Sequence, residues 1–249
     1  MERLDKIISA TGKKSRREVR EMVRQGRVLV DGKPVPAADM KVDPQTAVIL
    51  LDGEPLGYEK FTYVMLHKPA GVLSATEDGR GETVLDLLAP EYRKIGLFPV
   101  GRLDKDTEGL LLLTDDGALA HDLLAPKKHV DKVYFVRTDG ALDDADCKAF
   151  EQGITLGDGL ECLPAKLEIL KSNAQSEALI TIHEGKFHQI KRMLASRGKP
   201  VVYLKRLSMG SLTLDEGLSK GEYRLLTAEE IKNLRESGQF AQGKAGADK

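Results

Sequence analysis

The chain has 249 residues, 41% hydrophobic and 31% charged, an ordinary balance for a folded protein and more than one core usually organises, so one large or two unequal domains are expected. No apolar run approaches the roughly 20 residues of a membrane span, MERLDKIISA does not read as a signal peptide, and Cys147 and Cys162 alone allow neither a disulfide framework nor a cysteine zinc site and point to a reducing, cytoplasmic compartment. A net charge of −1 argues by itself against a nucleic-acid partner, yet residues 1–35 carry +5 and residues 180–206 carry +6, leaving −12 for the rest; two basic islands suggest polyanion-binding surfaces, the alternative being solvated charge runs.

Residues 1–58 read as a small module. Leu4, Ile7 and Ile8 recur at helical spacing and Gly12 breaks the pattern. Ser15 with Glu18 forms a capping box for a second helix, Val19, Met22 and Val23 give its apolar face, and Gly26 stops it. Arg16, Arg17, Arg20, Arg24 and Arg27 occupy the rest of that helix and its end. RVLVDGKPV predicts a hairpin around Asp31-Gly32, and VILLDGEPL repeats the signal at 48–56. So small a core is marginal alone and suits an appended domain.

Arg3-Leu4-Asp5-Lys6, Ser15-Arg16, Gly26-Arg27-Val28 and Val30-Asp31-Gly32 resemble the S4 RNA-binding domain over this whole segment. The resemblance implies that Lys6, Arg16, Arg17, Arg20 and Arg27 face structured RNA, which fits guanidinium forks spaced along a phosphate backbone.

Residues 59–236 read as a larger α+β domain, with strands at 61–66, 109–114, 132–137, 164–170, 178–183 and 211–214 and helices at 83–89, 117–125, 143–152, 187–197 and 227–236. The interleaving is too irregular for a doubly wound fold, so a mostly antiparallel sheet is expected. Thr227 and Glu230 cap the last helix, and residues 237–249 read as a disordered polar tail.

The densest stretch is GRLDKDTEGLLLLTDDG at 101–117. Asp104, Asp106, Glu108, Gly109 and Asp115 approach the spacing of a calcium loop, but Pro99 and Gly101 forbid an entering helix. An Asp-x-Asp phosphotransferase motif would place its buried strand before the acids rather than after them. The third reading is a loop that presents Asp104 beside Arg102 at a cleft edge, with Asp106 and Thr107 suited to bonding the loop backbone.

This stretch resembles the active-site signature of the RsuA-type pseudouridine synthases, matching at every fixed position. The resemblance continues through His67-Lys68-Pro69-Ala70-Gly71, where the family more often begins with Asn, through Lys132-Val133-Tyr134-Phe135-Val136, and through Glu184-Gly185-Lys186-Phe187-His188-Gln189-Ile190-Lys191-Arg192-Met193 to Leu204 and Arg206. It implies an S4 domain followed by a synthase domain with flanking helices around a cleft. The implied reaction isomerises uridine to pseudouridine with neither metal nor organic cofactor. It also implies a monomer acting on ribosomal RNA, small-subunit (16S) RNA or an assembly intermediate by preference, with large-subunit (23S) RNA as the alternative. A non-catalytic ribosome-assembly factor on the same fold, or a metal-dependent enzyme, are the other classes open.

The resemblance assigns three roles. Asp104 acts on the ribose or base, as nucleophile at C1′, as a base toward C2′, or by addition to C6. Lys191 supplies the cation that keeps a cleft carboxylate ionised. Tyr134 stacks on uracil, ahead of proton removal, because a phenol is a weak base at neutral pH. Lys132, Tyr134 and Val136 alternate onto one strand face. His188, Lys191 and Arg192 are placed on one helix face at the RNA, with Ile190, Met193 and Leu194 in the core. Arg102 fills the gap left by an extruded base, or alternatively pairs with Asp106 or Glu108. Arg206 completes the RNA-contacting set.

Overall fold

A computed structural model describes residues 1–239 apart from 12, 45–46, 57–60 and 80. The chain divides into two compact units, Met1–Phe61 and Thr62–Lys249. The boundary read at 58/59, and Gly12 as a helix breaker, lie outside the described residues.

The first unit contains β1 (Glu2–Arg3), α1 (Leu4–Ala10), α2 (Arg16–Arg24), β2 (Val28–Val30), β3 (Lys33–Pro34), β4 (Lys41–Val42), β5 (Ile49–Leu51) and β6 (Glu54–Pro55). The Ser15–Glu18 capping box starts α2. Both hairpins turn on Asp-Gly pairs at positive φ, Asp31 (52°) with Gly32 (76°) and Asp52 (54°) with Gly53 (85°), the twist that matches right-handed strands. The apolar faces of both helices close on Val28, Val30 and Ile49 to form the core. The short β1–β4 pair was not legible in the sequence.

The second unit contains β7 (Tyr63–Lys68), α3 (Pro90–Arg93), β8 (Phe98–Pro99), β9 (Glu108–Thr114), α4 (Gly117–Leu124), β10 (Lys132–Asp139), α5 (Asp144–Gln152), β11 (Lys166–Lys171), β12 (Gln175–Ile182), α6 (Gln189–Ser196), β13 (Val201–Met209), β14 (Leu212–Thr213), β15 (Tyr223–Leu225) and α7 (Ala228–Gln239). The sheet runs β11-β12-β10-β13-β9-β7-β15, with β14 on β13 and β8 on β9. Every pair of these strands is antiparallel except β13 with β9. That one parallel pair places the segments leading into both strands at the same end: the 101–107 loop before β9, and α6 before β13.

At the seam, Gly109 pairs with Arg206. A Cβ on Gly109, at φ +104°, would lie 2.2 Å from the Arg206 carbonyl oxygen, so only glycine permits this approach.

Four expectations need correction. Residues 83–89 form turns, not a helix: Asp86 binds the Thr83 amide and hydroxyl at 2.9 Å each, and Pro90 holds Ala89 extended at ψ 150°. The nine-residue β13 had been absorbed into a basic island because Lys205 and Arg206 mask its alternation. Helix α6 starts at Gln189, with His188 in the left-handed region at φ 49°, so His188 does not share a helical face with Lys191 and Arg192. Residues 237–239 belong to α7 instead of a tail, and 240–249 lie outside the described residues.

Candidate active site

The 101–107 loop is held from beneath by Lys68 and Ser74. Lys68 ends β7, a strand buried along its whole length. Its ammonium donates to the carbonyls of Thr107 (2.9 Å), Pro69 (3.0 Å), Asp104 (3.2 Å) and Lys105 (3.2 Å). Burial pushes this ammonium down to about 8, against the nearby carboxylates of Asp106, Asp104 and Glu108. Ser74 Oγ donates to the Leu103 carbonyl at 2.9 Å and accepts from its amide at 3.1 Å. Neither residue was singled out for a role from sequence; the available signal was a lysine closing an apolar strand.

The loop offers the Asp104 side chain, 23% exposed, to α6. Lys191 Nζ lies 3.0 Å from Asp104 Oδ2 and 2.5 Å from Asp106 Oδ1. Burial alone would lower the Lys191 ammonium; the two carboxylates outweigh it and leave it raised. Lys191 in turn holds Asp106 below the usual carboxylate range. His188 Nε2 stands 3.7 Å from Asp104 Oδ1. Tyr134, on β10, lines the same pocket with Arg102, Leu103, Ile182 and Leu204. Asp104, Lys191, Tyr134, His188 and Arg102, singled out separately along the sequence, thus share one cavity.

The 184–189 turn that launches α6 is built on a buried network. Glu184 Oε1 accepts from the Leu163 amide (2.9 Å) and Gln189 Nε2 (2.8 Å), and Gln189 Oε1 accepts from the Lys186 amide at 3.0 Å. The one acid inside the basic island is therefore structural. Phe187, which sequence reasoning gave no role, is 74% exposed and stacks on His188, ring centroids 3.8 Å apart at 19°.

Other expected contacts are placed differently. Glu108 accepts from Tyr203 (2.7 Å) and Lys220 (2.9 Å), and Asp115 accepts from the Thr62 amide at 2.6 Å, so the acids of the calcium-loop spacing diverge. Asp106 turns its carboxylate to Lys191, and Thr107 Oγ1 is buried without a partner among the described residues. Arg102 is exposed and makes no side-chain bond or ion pair among the described residues. Arg192 is paired with Asp158 at 2.5 Å, and Arg197 with Asp146 at 2.9 Å. Arg206 is 2% exposed, its Nε donating to the Leu110 carbonyl at 2.8 Å, and so lies beneath the surface rather than on it. Much of the second basic island is thus neutralised in space by acids from elsewhere in the chain.

In the first unit, Arg16, Arg17 and Arg20 are exposed and carry no ion pair among the described residues. Lys6 pairs with Glu2 at 3.4 Å. Arg27 is engaged by both oxygens of Asp52, at 2.6 and 2.7 Å.

The family model described as RNA pseudouridylate synthase matches residues 62–196, the span that holds Lys68, Asp104, Tyr134 and Lys191. This chain belongs to the RNA pseudouridylate synthase family. The S4 domain model matches residues 2–48. Pseudouridylate synthases are isomerases acting on RNA, and the S4-plus-synthase α+β architecture is the one observed. The chain is 51% identical over 236 residues to the uncharacterized RNA pseudouridine synthase YtzG of Bacillus subtilis (strain 168), covering 94% of this chain and 98% of that protein. It is 39% identical to the ribosomal small subunit pseudouridine synthase A of Vibrio cholerae serotype O1, covering 93% and 99%. It is also 39% identical to the ribosomal large subunit pseudouridine synthase B of Bacillus subtilis, covering 94% and 96%. A pseudouridylate synthase crystal structure superposes with a TM-score of 0.65 at 36% identity, covering 94% of this chain and all of that one. No helix among the described residues is long and apolar enough to cross a membrane.

Proposed function

We propose that this synthase converts one uridine of ribosomal RNA to pseudouridine, with Asp104 as the reacting carboxylate. The observation that carries the reading is the Asp104–Lys191 ion pair in a cavity walled by Tyr134. The C1′–N1 bond breaks, uracil turns, C5 joins C1′, the C5 proton is lost to solvent and N1 takes up a proton in its place, so the reaction is an isomerisation. Asp104, ion-paired with Lys191, serves as nucleophile at C1′ or as base toward C2′. Tyr134 stacks on the uracil, and Arg102, which has no ion pair among the described residues, occupies the gap it leaves in the RNA.

The first unit, through Arg16, Arg17 and Arg20, docks the RNA. Small-subunit RNA is the preferred substrate, and the synthase acts as a cytoplasmic monomer in ribosome biogenesis. Large-subunit RNA is the second reading, favoured by the equal identity to a large-subunit synthase.

Tritium release from C5-labelled RNA tests the chemistry: Asp104→Asn should abolish it with little loss of RNA binding. Undiminished turnover in Asp104→Asn would remove Asp104 as the reacting carboxylate, and absence of release by the wild type would leave a non-catalytic RNA-binding factor. Pseudouridine mapping of both ribosomal RNAs from a deletion strain, with add-back, selects the substrate.

A further inference from the structure

Next to the Asp104 cavity, and sharing Tyr134 and Arg102 with it, lies a second open cleft of about 480 Å³ that also takes in Gly101, Leu124, Lys132 and Arg206. Two of its cations are out of water: Lys132 is 5% exposed and Arg206 is 2% exposed. Lys132 Nζ donates to the Val130 carbonyl at 3.1 Å. Arg206 spends Nε on Leu110 while its Nη2 has no partner among the described residues. Arg102 brings a third positive group to the rim. No carboxylate lines the cleft among the described residues.

The fold enforces this gathering. Arg206 sits opposite Tyr134 across the β10–β13 pair, and Lys132 lies two residues before Tyr134 on the same face. Buried carboxylates elsewhere in the chain have cationic partners: Asp5 has Arg3, Asp146 has Arg197, and Glu184 has Lys186. Burial first, and Arg206 second, push the Lys132 ammonium down to about 8, against the pull of Asp131. Two desolvated cations that make no ion pair among the described residues are costly, and an arriving anion offsets that cost.

We propose that Lys132, Arg206 and Arg102 form an anion subsite that seats one backbone phosphodiester of the substrate RNA, belonging to a nucleotide next to the uridine at Asp104. The proposal rests on the isomerase reading and deepens it. A guanidinium fork and a lysine point charge suit a phosphodiester's two free oxygens. A phosphate fixed beside Tyr134 sets the register of the strand, and with it which ribose faces Asp104.

Two measurements at pH 7 on the full chain test the subsite. Inorganic phosphate should shift the backbone amide signals of Gly101 and Lys132 saturably in the wild type and leave them unmoved in Lys132→Gln. The slope of log binding constant against log salt for ribosomal RNA should fall by about one in Lys132→Gln and return in Lys132→Arg. Phosphate that moves neither amide in the wild type, or a wild-type slope in Lys132→Gln, overturns the subsite. The wild-type titration needs no variant to fold. Failure of the isomerase reading shows separately, as absence of pseudouridine in RNA treated with wild-type protein.

Discussion

Lys191 bridges two carboxylates of one loop, Asp104 at 3.0 Å and Asp106 at 2.5 Å, and the contact with Asp106 spans 85 residues of sequence. Only one of those carboxylates faces Tyr134 in the cavity, so the two should separate on mutation. Lys191→Met removes the counter-ion of Asp104 and should lower kcat by about 10²-fold or more. Asp106→Asn leaves Lys191 to Asp104 alone and should change kcat by less than about tenfold. Single-turnover tritium release measures both. Because the carboxylates raise the Lys191 ammonium, it stays charged through neutrality and contributes no pH dependence there.

Lys68 is the group whose titration reaches the working range. Its native ammonium is pushed down to about 8 from an ordinary value of 10.5, so it is charged below about 8 and neutral above. A neutral amine has two hydrogens for four carbonyls, three of them in the 101–107 loop. The wild-type kcat should therefore fall as pH rises through about 8. Lys68→Met should start near 10²-fold lower, the scale of a loop misplaced by an ångström, and lack that limb. The stability effect has the opposite sign. Between about 8 and 10.5 the unfolded chain binds the proton and the native one does not, so this lysine's contribution to stability rises with pH across that window. Lys132→Gln should leave the Lys68 limb in place, which separates the two buried lysines.

The first unit was readable almost completely, because its signals are local: a capping box, two Asp-Gly turns and helical apolar spacing all lie within a few residues of what they specify. The catalytic loop was readable as a motif. Its supports were not, because Lys68 and Ser74 act across the sheet from 29 to 39 residues away. The second basic island misled for the same reason. Its charge was summed along the chain, whereas Asp158 and Asp146 neutralise Arg192 and Arg197 through space. Strand β13 was missed because a buried arginine breaks the apolar alternation that marks a strand.

That distinction between linear and spatial charge separates the arginines of the first unit. Arg16, Arg17 and Arg20 make no ion pair among the described residues, so changing all three to Gln should weaken RNA binding and reduce the salt slope by about two to three. Arg27→Gln should leave the slope nearly unchanged, because Asp52 already holds its fork. Filter binding across a salt series checks both, and a triple variant with the wild-type slope would remove the docking role.

Phe187 is an exposed aromatic ring stacked on His188, which stands 3.7 Å from Asp104. A ring presented in this way at an RNA cleft suits stacking on a nucleobase, worth about 1–3 kcal/mol per base. Phe187→Ala should weaken RNA binding about 5- to 150-fold without lowering the thermal unfolding midpoint, since the ring is mostly in solvent. Phe187→Trp should retain affinity, and 2-aminopurine placed beside the target uridine reports the stacking directly.

Gly109 tests the seam itself. Its Cβ would meet the Arg206 carbonyl oxygen at 2.2 Å and the Arg206 amide nitrogen at 2.7 Å, both backbone atoms that no rotamer change can move. Gly109→Ala should therefore destabilise the second unit by on the order of 4 kcal/mol. Gly117→Ala, at a helix start with nothing within 4 Å of the added carbon, should be close to neutral. Thermal unfolding of the two variants makes the comparison. The fraction of Gly109→Ala that remains folded should also lose turnover. Any separation of β9 from β13 moves the loop carrying Asp104 away from the helix carrying Lys191, and the ion pair at the centre of the site depends on those two strands lying side by side.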